Sequence, residues 1–319
     1  MADTEYIPDP KHFINRELSW LEFNQRVLDE ALDPSNPLLE RVKFFCITSS
    51  NLDEFFEVRV AGLKQAIESG LTGHSCDGLT VAECFDAVSH RVRKLVDQQF
   101  KCWRRDLVPA LDEKGIHFLN PSRLKGADKE FAEKFYHDEV RPVLTPLGID
   151  PAHPFPELLN KSLNLIVQLE VPQGVETVRR LAVVQVPRGL PRLVELPSPD
   201  RTKRYVLLGQ LIGHFLADLF PGNKVVGHWR FRVTRNSELY IDDEEVANLL
   251  NAIEEELHNR RKNDAVRLEI EQTSPPEIRA DLLNFLNLSE DDLYMVNGPI
   301  NPVRLMALLD GDHSPELRD

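Results

Sequence analysis

The residues best placed to do chemistry lie in Ser50-Asn51-Leu52-Asp53-Glu54, between an apolar run at Phe44-Phe45-Cys46-Ile47 and a second at Phe55–Leu63. The Asn51 amide offers two donors and an acceptor, enough to hold a polar ligand. Small polar residues inside a greasy run predict that one helix ends and another begins at Asn51. Ser50 or Asn51 would be its N-cap, and Asp53 or Glu54 would complete a capping box. A helix start exposes N–H groups at the positive end of the dipole, which suits a phosphate. The same residues describe a plain N-cap with no ligand, and on the pattern alone that is the preferred reading.

Other polar groupings have ordinary explanations. Arg91, Arg93, Lys94, Lys101, Arg104 and Arg105 lie along a long helix and read as a solvated face. In Val225–Val233, Trp229, Phe231 and Val233 alternate with Arg230, Arg232 and Thr234, predicting a strand with one apolar and one basic face. Asp242-Asp243-Glu244-Glu245 suits a helix start better than a metal site. Asp310-Gly311-Asp312-His313 reads as polar tail rather than a cation site. There is no Walker loop, no dinucleotide-binding glycine fingerprint and no HExxH pair. No catalytic triad can be read from spacing.

The chain of 319 residues is 42% hydrophobic and 28% charged, the composition of an ordinary globular protein of about two domains. A net charge of −14 argues against a general nucleic-acid binder. No apolar run approaches the roughly 18 residues that a transmembrane helix needs. The acidic N-terminus has no signal region. Cys46, Cys76, Cys84 and Cys102 form no CxxC pair, and Cys46 and Cys84 fall on apolar helical faces. Together these predict a cytoplasmic protein with reduced thiols and no structural zinc.

Four helices should carry these groups. The first is expected from Ser19, because Ser19-Trp20-Leu21-Glu22 is a capping box; the second follows Pro37; the third runs from about Asn51 to Ile67 and stops at Gly70. Thr80-Val81-Ala82-Glu83 opens the fourth, which Pro109 is expected to kink. They predict an antiparallel bundle over residues 1–115. From Ile116 the pattern changes. A helix at Phe131–Val140 precedes a proline-rich stretch, and then strands at Leu163–Val171, Leu181–Val186, Arg192–Leu196, Val225–Val233 and Val266–Ile270. Helices are expected in Tyr205–Phe220 after a strand-like start, from Asp242 to about Arg261, and from Pro275 or Pro276 to Leu286. The fold class is therefore α+β: a helical bundle, residues 1–115, followed by a head of mostly antiparallel sheet, residues 116–319.

Three segments, Phe13–Leu28 (FINRELSWLEFNQRVL), Asn36–Arg41 (NPLLER) and Ser50–Arg59 (SNLDEFFEVR), closely resemble in order and spacing the start of bacterial polyphosphate kinases, the family that makes polyphosphate from ATP. The resemblance loosens after Ile116, where it rests on element order and on Leu293–Ile300 (LYMVNGPI). It implies a helical domain, a head used in dimerisation, and two further domains that hold the phospho-accepting histidine and the magnesium ligands. Those two have no counterpart in residues 1–319, so the chain is expected to be inactive alone. ATP or ADP, polyphosphate and a second copy are the implied partners, magnesium the implied metal, and the cytoplasm or a peripheral membrane position the implied location. One site residue carries over: the motif's asparagine contacts ATP, and here it is Asn51. Asp53 and Glu54 would repel phosphate and are expected to turn away from it or to bind a basic neighbour such as Arg59 or Arg16. The resemblance also raises a polyphosphate path along Arg230 and Arg232, against the simpler reading of an exposed strand face. The rival for the whole chain is a free-standing interaction or dimerisation module.

Overall fold

A computed structural model describes residues 9–149, 155–174, 176–198, 202–237, 264–311 and 317–318. The helix expected from Asp242 to Arg261 lies outside them, as does the Asp312-His313 part of the expected polar tail.

Three long rods replace the expected four. Helix α1 is Arg16–Leu32, and it starts a turn before Ser19 because Asn15 is the cap: its Oδ1 accepts from the N–H groups of Glu17 and Leu18, both at 3.0 Å. Helix α2, Leu38–Phe55, runs through Ser49, Ser50 and Asn51 without a break. A five-residue π turn, Phe56–Val60, then leads into α3, Ala61–Glu68. No helix therefore starts at Asn51. The small polar side chains of this stretch bond sideways or backward within and between the rods: Thr48 Oγ1 to Phe44 O (2.9 Å), Ser49 Oγ from Gln99 Nε2 (2.7 Å), and the expected cap Asn51, by its Nδ2, to Asn24 Oδ1 (2.9 Å). Ser and Asn cost a helix interior well under 1 kcal/mol each, so a few such contacts keep the rod continuous. Gly70, at φ +70°, closes α3 as its sequence position foretells, with the Leu71 N–H reaching back to Ala66 O at 3.0 Å. Helix α4, Val81–Cys102, opens with the expected Thr80–Glu83 capping box. A second π turn, Trp103–Leu107, precedes α5, Val108–Glu113, which holds Pro109 in its first turn.

The rest is α+β. Strand β1, Ile116–Phe118, and helix α6, Gly126–Phe135, lead to β2, Pro146–Ile149. Strands β3, Asn164–Gln173, and β4, Glu176–Gln185, are followed by β5, Leu193–Leu196, β6, Lys203–Leu207, and helix α7, Leu208–His214. Then come β7, Lys224–Arg235, β8, Ala265–Glu271, helix α8, Pro276–Leu286, and β9, Leu293–Val296. The larger sheet has the order β2-β4-β3-β7-β8-β9 and is antiparallel except for β8/β9; the smaller is β1-β6-β5, with β1/β6 parallel.

Alternation along the strands buries both faces of the large sheet. Ile166, Val183, Phe231, Val233, Leu268 and Ile270 pack with Ile278 and Leu282 of α8. Leu165, Val167, Leu169, Ala182 and Val184 belong to the other core, which continues without interruption into Leu28, Phe45, Val92 and Leu95 of the bundle. The helical region and the α+β region thus share apolar material rather than merely touching.

Candidate functional site

Packing of α1 against α2 builds the surroundings of Asn51. Trp20 stacks on Phe55 with centroids 4.5 Å apart, and Phe23, 47% exposed, sets its ring edge-on to Trp20 at 6.5 Å. Asn24 is fully buried between the rods. Its Nδ2 donates to the Thr48 carbonyl at 3.1 Å, so its Oδ1 is turned toward α2, where it accepts from Asn51 Nδ2. A backbone carbonyl accepts only, so this chain of bonds sets both amides the same way round. Asn51 is half-buried; among the described residues its second N–H and its Oδ1 have no partner. A fixed donor and acceptor, side by side at the surface, is the pattern with which an amide pairs the N6/N7 edge of adenine. The expected phosphate seat is corrected here. With α2 continuous, the N–H groups around Asn51 are spent within the helix, and no dipole end lies beside it.

The acids of the same stretch point elsewhere. Asp53 is buried and accepts from Arg232 Nη1 at 2.9 Å and Nη2 at 2.7 Å, and from Arg267 Nη2 at 2.5 Å. Glu269 bonds Arg232 Nε and lies 3.3 Å from Arg267 Nη2. Two carboxylates and two guanidiniums close a balanced cluster. Burial opposes ionisation of Asp53, but the two arginines outweigh it and hold its carboxyl below the usual range. The guanidinium of Arg267 also covers the Phe56 ring at 4.3 Å. Glu57, one turn on, accepts from Asn160 Nδ2 at 2.6 Å and Lys161 Nζ at 2.9 Å. The expected partners of Asp53, Arg59 and Arg16, flank Glu17 instead.

Arg232 is accordingly no exposed strand residue: it is 1% exposed, and Arg267 beside it is 2% exposed. The predicted alternation on β7 holds, but its polar face lies against the bundle. Arg230 pairs with Glu271, which leaves neither arginine as an open rail for a polyanion. Arg93 and Arg104, read as part of a solvated face, donate to the carbonyls of Leu293 and Asn297, both at 2.7 Å, and tie α4 and the π turn after it to the head. A hollow of about 410 Å³ opens there, lined by Trp103, Phe118, Asn120, Gln210, Arg230 and Glu271 among others. Asn51 lines neither it nor the hollow of about 490 Å³ beside Asn15 and Cys84.

Cys46 and Cys102 are buried thiols, pushed up by burial to about 12 and about 11, and Cys76 is exposed. Among the described residues, no three His, Cys, Asp or Glu side chains converge as a metal-holding group, and no helix is long and apolar enough to cross a membrane.

Asn24, Arg267 and Glu269 are site residues that pattern reading missed. A signal existed for two of them: Arg267 and Glu269 alternate with Val266, Leu268 and Ile270 on β8, and Glu269 pairs across the sheet with Arg232 on β7. Complementary charges at facing positions of adjacent strands mark an internal pair.

Comparison with known proteins adds the following. Residues 13–119 match the family model of the polyphosphate kinase N-terminal domain, and residues 127–308 that of the polyphosphate kinase middle domain. The polyphosphate kinase of Paraburkholderia phytofirmans is 44% identical over 307 residues, covering 96% of this chain and 45% of the relative. That of Pseudomonas aeruginosa is 43% identical over 312 residues, covering 97% of this chain and 45% of the relative. The crystal structure of polyphosphate kinase from Porphyromonas gingivalis superposes with a TM-score of 0.78 at 25% identity, over 96% of this chain and 42% of that one. The chain spans a little under half the length of the relatives it matches.

Proposed function

Because this chain belongs to the polyphosphate kinase family, we propose that it supplies one wall of the ATP site of an enzyme that builds polyphosphate from ATP, with Asn51 reading the adenine base. The observation that carries this is the Asn51 amide itself: half-exposed, bonded to the buried Asn24, with one N–H and its Oδ1 unpartnered among the described residues, one helical turn from the Trp20–Phe55 stack. In the family reaction the γ-phosphoryl group leaves ATP for an imidazole nitrogen, releasing ADP, and passes on to the terminal oxygen of polyphosphate. Such transfer depends on positioning and on cations set around the phosphate oxygens. Magnesium would neutralise those oxygens, and in this reading its ligands and the histidine lie outside residues 1–319. The chain then holds the base while other segments act on the phosphates. Incubated with γ-labelled ATP and magnesium, the purified 319-residue chain should yield neither labelled polyphosphate nor labelled protein. Either product would overturn this division of labour.

In the same reading the chain divides into a helical domain, residues 1–115, and a head, residues 116–319, and the head carries the self-association surface. Support for the surface comes from the family resemblance and from apolar side chains left open on the head: Val143 at 55%, Met295 at 48% and Val226 at 46% exposed. Sedimentation should give a dimer that Val143→Glu or Met295→Glu weakens. A monomer throughout the accessible concentration range would remove the surface from the head.

A further inference from the structure

A second ligand site emerges from arginines that the Asn51 reading does not use. Arg188 and Arg192 stand on the connection between β4 and β5, and Arg304 on the 3₁₀ helix Pro302–Asp310. Among the described residues none of the three is ion-paired with an acid. Arg188 spends one N–H on the Asn160 carbonyl at 2.6 Å. Arg192 is half-buried, and its Nη1 is sealed from solvent with no hydrogen-bond partner. Arg192 and the exposed Arg304 line one small cavity of about 30 Å³, whose other polar neighbours are Asn301 and Arg230, the latter already held by Glu271. Burial, then the neighbouring charges of Arg304 and Arg188, push the Arg192 guanidinium down to about 10, so it is still charged at neutral pH. In a chain of net charge −14, three guanidiniums that repel one another and, among the described residues, have no acid paired with them are an arrangement that folding alone does not favour.

We propose that Arg188, Arg192 and Arg304 form a binding site for an oligophosphate, seated at the mouth of this cavity. The cavity has room for about one water molecule, so the ligand lies across the opening and reaches Arg192 from outside. Charge selects the class. Three uncompensated guanidiniums call for more than the single charge of a carboxylate, and their planar forks match phosphate oxygens two at a time. A chain of linked phosphates can span all three, whereas orthophosphate meets one or two. An inorganic chain and the phosphate tail of a nucleotide share this chemistry. The site is independent of Asn51, which belongs to the α1–α2 face.

The test is calorimetric titration of the 319-residue chain with sodium tripolyphosphate, ATP and orthophosphate at low and moderate salt. Tripolyphosphate should bind, orthophosphate at least tenfold more weakly, and added salt should weaken both. Arg304→Glu, at an exposed position, and Arg188→Ala should each lower tripolyphosphate affinity at least tenfold with an unchanged circular dichroism spectrum. Arg192→Met, which removes the unpartnered charge, should do the same. Asn51→Ala should leave tripolyphosphate affinity untouched, which separates this site from the adenine contact. Equal loss of ATP and tripolyphosphate binding in Arg304→Glu assigns the site to any phosphate chain, and loss of tripolyphosphate alone assigns it to the inorganic one. Wild-type chain that binds no tripolyphosphate, or Arg304→Glu with unchanged affinity, overturns the proposal. So does self-association that Arg304→Glu abolishes in the absence of anion binding, since the arginines would then be meeting acids of a second copy.

Discussion

Replacing Asp53 with alanine should lower the unfolding free energy by about 3–5 kcal/mol, the cost of removing one partner from a buried ion pair. The size follows from what is left behind. Arg232 and Arg267, 1% and 2% exposed, would share Glu269 alone, and one guanidinium would be buried without a counter-charge. The claim is about the missing partner, not about the cluster's worth against an apolar core, which is often small. Asp53→Asn should be milder, because an amide still offers an oxygen to the arginines.

The effect should depend on pH, with a sign set by the direction of the Asp53 shift. Its folded carboxyl titrates below the ordinary aspartate range, burial being outweighed by Arg232 and Arg267. Between the folded pKa and the unfolded value of about 3.9 the unfolded chain binds more protons, so stability rises with pH there. The contribution is complete above the unfolded pKa and is lost as pH falls through the folded one. The gap between wild type and Asp53→Asn in urea unfolding should therefore be widest near neutral pH and narrow in acid below about pH 4. A constant gap across that range, or a loss under about 1 kcal/mol for Asp53→Ala, would show that the cluster does not bind the bundle to the sheet. Because the two regions also share one apolar core, wild type should unfold in a single cooperative transition; two separated transitions would show that residues 1–115 and 116–319 fold apart.

In a full-length family enzyme carrying this stretch, Asn51→Ala should raise KM for ATP about ten- to a hundredfold. That corresponds to the ~1–3 kcal/mol that a two-bond amide–base contact contributes to discrimination. The cause would be loss of one donor and one acceptor aimed at the base. KM for polyphosphate in the reverse direction should not move, and the preference for ATP over GTP should fall by a similar factor. Asn51→Asp should fail almost as badly, since a carboxylate has two acceptors where adenine requires one donor and one acceptor. Asn24→Ala touches no ligand in this reading, yet it frees the Asn51 amide to rotate and should reproduce part of the loss. Unchanged KM for ATP in Asn51→Ala would take the residue out of the site. A loss equal for ATP and GTP would move its contact from the base to the phosphates or ribose.

Much of the architecture was legible because it is local. The Thr80–Glu83 box, the Gly70 stop and the apolar runs of β3, β4, β7 and β8 each depend on neighbours within a few residues, and each element stands where its pattern put it except β4, which begins at Glu176 rather than Leu181. The short strands β1, β2 and β9 did not show: three or four residues carry little alternation, which only β5 among such strands overcame, and the parallel pairings of β1 and β9 depend on partners outside their own stretch of chain. At the site, the motif around Asn51 was readable but its local geometry was not. Ser50 and Asn51 fit a cap or a helix interior almost equally by propensity, and the choice fell to Asn24, Gln99 and the Phe44 carbonyl, none of them within the motif.

The amino-acid order by itself determined that the chain pairs a helical bundle with an α+β sheet, and it singled out Asn51 within a family motif, because periodicity, turn chemistry and motif spacing need no partner from elsewhere. Only tertiary packing decided that α2 runs unbroken through Asn51, that Asn51 is half-buried against Asn24 while Asp53 reaches the arginines of the sheet, and that Arg232 is sealed. Whether a charge is solvated or buried depends on which surface folds over it. That surface came from β8, more than two hundred residues after Asp53.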